Sequence, residues 1–187
     1  MLEIIYERIK GMILKPVETF RTTASDELSF TFVYYLVLLA IYAILLSLSL
    51  SRFGMYWMMN GKILITMAMM LGQMVVSLLV STLWIHLWVW LFGGREGLRN
   101  TFRAMAFSMT PVMLLGWLMP AGLIAGTVWG IVLEVLGIRE LQKLTAKRAI
   151  LAVAVPMIVG ISGLIAFLAL TDPHFLTSLG DVFAGSI

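Results

Sequence analysis

Glu134 is the residue with the most chemistry open to it, a carboxylate set inside the apolar run Val-Trp-Gly-Ile-Val-Leu-Glu-Val-Leu-Gly-Ile. An ionisable group in low dielectric is costly unless it is paired, so it marks either a structural ion pair or an ion or proton path. His86 sits near the end of a second, uncharged run, and Arg103 enters the next run from the same side. At about 1.5 Å per helical residue, Glu134 and His86 lie roughly 6 and 9 Å from their ends. The matched depths predict one polar cluster of Glu134, His86 and Arg103, joining three helices by charge-assisted bonds. Other chemistry is scarce. The chain has no cysteine, which excludes disulfides, thiol catalysis and thiolate metal sites. His86 and His174 fall on opposite faces in the topology below, so no metal site is expected. HExxH, GxSxG, a phosphate-cradling loop and paired aspartates are all missing, so neither a catalytic site nor a cofactor is expected.

The elements that hold these residues follow from composition. Of 187 residues, 61% are apolar and 12% charged, and mean hydropathy is +1.01. A soluble domain averages about 25% charged residues, so this chain lacks the polar surface to cover a globule. That excludes a soluble enzyme, a nucleic-acid module and a disordered chain. The class is all-α: a polytopic membrane helix bundle. About 20 apolar residues span a bilayer as a helix, and five segments qualify, at 30–50, 63–92, 101–119, 121–138 and 149–170. The third is the weakest, holding Arg103, Ser108, Thr110 and Pro111, and only Pro120 separates it from the fourth. A re-entrant hairpin would leave the charge pattern unchanged. Segments of 19 and 18 residues are each long enough to cross, so two crossings are expected.

Charge sets the orientation. Lys and Arg fall as Arg8, Lys10, Lys15 and Arg21, then Arg95, Arg99 and Arg103, then Arg139, Lys143, Lys147 and Arg148 on one side. The other side carries only Arg52 and Lys62. The positive-inside rule puts the N-terminus in the cytoplasm and the C-terminus outside. Phe53, Tyr56 and Trp57 are expected at the outer interface, and Trp88 and Trp90 at the inner one. Residues 171–187 form a short non-cytoplasmic tail.

Residues 1–29 carry charges among their apolar residues, so neither a cleavable signal nor a span is expected there. Leu2, Ile5, Ile9, Met12 and Ile13 recur at helical spacing, which predicts an amphipathic helix on the inner leaflet, ended by Gly11 or Pro16. Thr23 or Ser25 is expected to cap the first spanning helix, near Asp26 and Glu27. The stretch 139–148, with Leu141 and Leu144 between its basic residues, is expected to repeat the surface device.

Gly122, Gly126 and Gly130 form a ladder that lets helix backbones approach closely, in the same chain or between copies. Pro111 and Pro156 each remove a helix bond and predict kinks. Arg95, Arg99, Arg139, Lys143 and Lys147 are candidates for anionic lipid headgroups. Gln73, Ser77 and Ser81 give the second span a polar stripe.

The chain resembles the Yip1 family of small five-span membrane proteins. The resemblance rests on Lys15-Pro16-Val17-Glu18-Thr19-Phe20, on Phe92-Gly93-Gly94 leading into Phe102-Arg103-Ala104-Met105-Ala106-Phe107-Ser108-Met109-Thr110-Pro111, and on Gly137-Ile138-Arg139-Glu140-Leu141 with Arg148-Ala149 and Pro156. It implies a five-helix bundle with a cytoplasmic N-terminus. Eukaryotic members are associated with Rab-type GTPases, but this chain lacks their long N-terminal region and Asp-Leu-Tyr-Gly-Pro motif, so GTPase binding is not carried over. The short form is similar to prokaryotic members, which implies a prokaryotic cell membrane. The function expected is that of a non-enzymatic scaffold or trafficking-type protein. It would organise membrane lipids, a second copy of the chain or another membrane protein, with no nucleic acid involved. The alternative is a small transporter or channel component with a polar path near Glu134 and His86.

Overall fold

Segments this apolar can satisfy their backbone in lipid only as helices. The computed structural model, which describes residues 2–52 and 63–172, is built of helices and short connections. In chain order they are α1 (Leu2–Leu14), α2 (Pro16–Thr23), α3 (Leu28–Arg52), α4 (Ile63–Leu91), α5 (Leu98–Ser108), α6 (Thr110–Leu115), α7 (Ala121–Leu141) and α8 (Ala146–Thr171). Four of them, α3, α4, α7 and α8, are long and apolar enough to cross a membrane. The expectations for Phe53, Tyr56, Trp57, His174 and the tail fall outside the described residues.

The segment expected as a third crossing is broken. Residues 101–119 divide between α5, α6 and a run of turns that ends at the cis Met119–Pro120 bond. Pro111 has no N–H to offer the preceding turn. The hydroxyls on either side of the break bond backward instead, Ser108 Oγ to the Met105 carbonyl at 2.8 Å and Thr110 Oγ1 to the Phe107 carbonyl at 2.6 Å. Pro156, by contrast, lies inside α8, which runs on past it.

The pair α5–α6 runs antiparallel along α7. Built onto Gly130, a Cβ would lie 3.2 Å from the Ser108 carbonyl oxygen, and on Gly126 it would lie 2.8 Å from that of Pro111. Gly122 leaves no room before the Leu115 carbonyl and Leu118. At the other end, Gly137 faces Ala104 and Phe20. The glycine ladder therefore packs within the chain, against α5 and α6. Tyr34 of α3 closes the same region, its hydroxyl 2.8 Å from Thr110 Oγ1 and its ring 4.7 Å from Phe107. The outer flanks of α7 and α8 remain bare, with Ile124, Val128, Ile158, Ile161 and Leu164 exposed as lipid-facing residues would be.

The N-terminal segment differs from expectation. The helix continues through Gly11 to Leu14, and Pro16 then opens α2, where its missing N–H is harmless. Ile5, Ile9 and Met12 turn onto the bundle core rather than outward, while Ile13 is exposed. Gly11 is needed because Thr19 of α2 occupies the place of a Cβ. Neither Thr23 nor Ser25 caps α3. Their hydroxyls donate to the Phe20 and Thr22 carbonyls, three residues back, and so close the end of α2. The stretch 139–148 is not a separate surface helix either. It is the last turn of α7, a short connection and the start of α8, and Leu141 and Leu144 are buried.

Candidate functional site: a polar clamp at the basic end

Six elements meet at one end of the bundle: α2, the start of α3, the end of α4, the start of α5, the end of α7 and the start of α8. Every described Lys and Arg except Arg52 belongs to this end or to α1. Of the last carbonyls of α7, those of Ile138 and Arg139 accept from the Gln142 and Leu144 N–H groups, and that of Leu141 is met from the start of α5. Asn100 Nδ2 donates to the Leu141 carbonyl at 3.1 Å and to the Glu96 carbonyl at 3.2 Å. Gln142, buried beside them, donates through Nε2 to the Gly97 carbonyl at 2.8 Å and to Thr101 Oγ1 at 3.0 Å. Its Oε1 accepts from the Glu96 N–H at 3.1 Å. Gly97 holds φ +87°, a conformation that only glycine adopts cheaply. Gly94 has no space for a side chain between Val89 and Gln142.

The clamp extends outward through charges. Lys143 reaches Glu96 at 2.8 Å, Arg21 of α2 reaches Glu140 at 2.8 Å, and Arg139 reaches the same carboxylate at 2.6 Å. Arg103 donates to Asn100 Oδ1 at 2.6 Å and to the Asp26 carbonyl, and Asp26 pairs with Arg8 at 2.8 Å. His86 Nδ1 stands 2.8 Å from Thr101 Oγ1. That hydroxyl already accepts from Gln142, so its own proton is free for a ring nitrogen left bare in the Nε2–H tautomer.

The expected trio does not assemble. His86 bonds Thr101, Arg103 bonds Asn100 and Asp26, and Glu134 makes no hydrogen bond or ion pair among the described residues. Matched depth along three helices says nothing about azimuth, and α5 turns Arg103 toward the α2–α3 connection rather than toward Glu134. Glu134 itself is 9% exposed. A buried polar group without a partner costs about 1–3 kcal/mol. Glu134→Met, which keeps the volume and removes the carboxylate, is therefore expected to raise the Tm of the detergent-solubilised protein by at least about 2 °C. A lowered Tm would mean that the carboxylate has a stabilising partner.

Among the headgroup candidates, Arg139 and Lys143 are engaged in the ion pairs above. Arg95 lies over the Trp90 ring at 4.8 Å and donates to the Trp90 carbonyl at 3.0 Å. Arg99 and Lys147 are exposed and make no bond or ion pair among the described residues. Of the polar stripe, Gln73 is exposed, while Ser77 and Ser81 line a cavity of about 90 Å³ with Tyr35 and Met109. Among the described residues, no group of three or more His, Asp or Glu side chains is placed to hold a metal. The sequence reading missed Asn100, Thr101 and Gln142. Their one signal was position, since each is an uncharged polar residue next to the end of an apolar run.

The sequence matches the Yip1 domain over residues 10–167, from the end of α1 to near the end of α8. The chain belongs to the Yip1 family. No curated protein and no solved structure gives a significant match. The matched region of this Yip1-family chain contains the whole clamp apart from Arg8, together with the glycine ladder and Glu134.

Proposed function

We propose that this Yip1-family protein is a non-enzymatic membrane scaffold with five crossings, its basic clamp in the cytoplasm and its C-terminus outside. It would organise inner-leaflet lipids or partner membrane proteins on that basic face. The observation that carries this reading is the bonding of the α4–α5 connection to the end of α7. Those bonds put both ends of the α5–α6–α7 stretch on one side, so α7 cannot cross alone. Either α5–α6 crosses with it, or both re-enter. The pairing of α5–α6 along the length of α7, about 31 Å for its 21 residues, favours two crossings. The break at Met109 is tolerable at depth because Thr110, Pro111 and Met113 are buried in protein rather than lipid.

Both arrangements leave the C-terminus outside, so the α6–α7 turn discriminates between them. Met119, exposed in that turn, can be replaced by the chain's single cysteine. Met119→Cys is expected to react with an impermeant maleimide added to intact cells, whereas Thr22→Cys reacts only after permeabilisation. Protection of Met119→Cys with labelling of Thr171→Cys would point to re-entry. External labelling of Thr22→Cys would reverse the orientation.

The second reading, a transporter or channel component, draws support from the unpartnered Glu134. It requires an ion flux in reconstituted vesicles that Glu134→Ala abolishes, and such a flux would displace the scaffold.

A further inference from the structure

Between α3, α4 and the start of α5 the bundle opens into a groove of about 600 Å³. We infer that this groove seats one acyl chain of a monoanionic inner-leaflet phospholipid, with Arg99 at its mouth holding the phosphate. The walls are Phe32, Leu79, Leu83, Leu98 and Phe102, together with Thr82. Thr82 spends its hydroxyl on the Leu78 carbonyl at 2.7 Å, so it asks no polar partner of the groove. The depth suits a lipid. From the end of α4 at Leu91 to Leu79 is about 18 Å of helix, close to the roughly 15 Å of half a hydrocarbon core. A chain entering at the cytoplasmic surface would fill the groove and end near the bilayer midplane.

The charge at the mouth is complementary to a phosphodiester. Arg99 lines the groove, is exposed and makes no bond among the described residues, whereas Arg95, Arg103, Arg139 and Lys143 are each engaged. Glu27 is next to this lining, its carboxylate accepting from Ser29 of the groove wall at 3.0 Å. Its carboxylate repels a doubly charged headgroup but accepts from a headgroup hydroxyl, which points to a phosphatidylglycerol-type lipid. The inference rests on the orientation proposed above, in which this end faces the inner leaflet.

The test is native mass spectrometry of the purified full chain, titrated with phosphatidylglycerol or phosphatidylcholine of identical acyl chains. Wild type is expected to retain one phosphatidylglycerol more tightly than phosphatidylcholine. Arg99→Gln is expected to weaken phosphatidylglycerol about fivefold, the equivalent of about 1 kcal/mol for one basic residue near the surface, and to leave phosphatidylcholine unchanged. Leu83→Trp, at a lipid-exposed wall position, is expected to lower retention of both lipids by filling the groove. Arg95→Gln is the control and is expected to bind as wild type. Equal retention of the two lipids by wild type, or an Arg99→Gln protein that binds phosphatidylglycerol normally, overturns the site. Failure of the scaffold or of its topology is read separately, from flux and from labelling at Met119.

Discussion

Gly126→Ile is expected to melt well below wild type at unchanged oligomeric size. A Cβ at Gly126 falls 2.8 Å from the Pro111 carbonyl oxygen and 3.0 Å from Val112 Cα, both backbone atoms of the helix it packs against. Backbone has no rotamer in which to move aside, so α7 must separate from α6 and lose the dispersion contacts that hold helices together in lipid. Overpacking of this kind costs about 1–3 kcal/mol, and the rest of a β-branched side chain adds to it. Gly163→Ile in α8 is the control, because a Cβ there meets nothing within 4 Å. Thermal melting in detergent and size-exclusion chromatography of both variants decide the matter. A folded Gly126→Ile protein that elutes as a smaller species would instead make the ladder a contact between copies.

Gln142→Ala is expected to be the most damaging change at the basic end. It removes the partners of the Glu96 N–H, the Gly97 carbonyl and the Thr101 hydroxyl in one step. At about 1 kcal/mol for each bond lost, the total is about 3 kcal/mol, more where a group is left dry. Hydrogen exchange should quicken at residues 94–98, since the α4–α5 connection would lose its anchor on α7. Gln142→Glu provides the second variant. It retains an acceptor for the Glu96 N–H but loses the donor to Gly97, so an intermediate loss is expected. Wild-type stability in Gln142→Ala would show that the clamp is incidental to the fold.

Helix positions were legible in the sequence because hydropathy is additive along the chain. A run without charge must be helical in lipid whatever its neighbours are, and α3, α4 and α8 fall within a few residues of their expected bounds. The expected orientation rests on counting Lys and Arg rather than on where their side chains point, and labelling at Thr22 and Met119 tests it. The third segment shows the limit of this reasoning. Its apolar content allowed a continuous helix, but Pro111 and the back-bonding hydroxyls of Ser108 and Thr110 break it, and α7 and Tyr34 cover the break.

Side-chain partnership was not legible, and Glu134, His86 and Arg103 show why. Depth along a helix follows from residue number at about 1.5 Å per step, but azimuth and neighbour depend on how each helix is rotated in the bundle. Rotation is settled by packing, here by glycines 122, 126 and 130 turning one face of α7 onto α5 and α6. Arg103 consequently serves the α2–α3 connection through Asp26, His86 serves α5 through Thr101, and Glu134 is buried without a partner among the described residues. The sequence by itself determined the solvent, the helical class, the basic face and the family. The tertiary structure decided which polar groups meet and which cations, Arg99 and Lys147 among them, are left without a partner among the described residues, because those depend on distances between residues far apart in the chain.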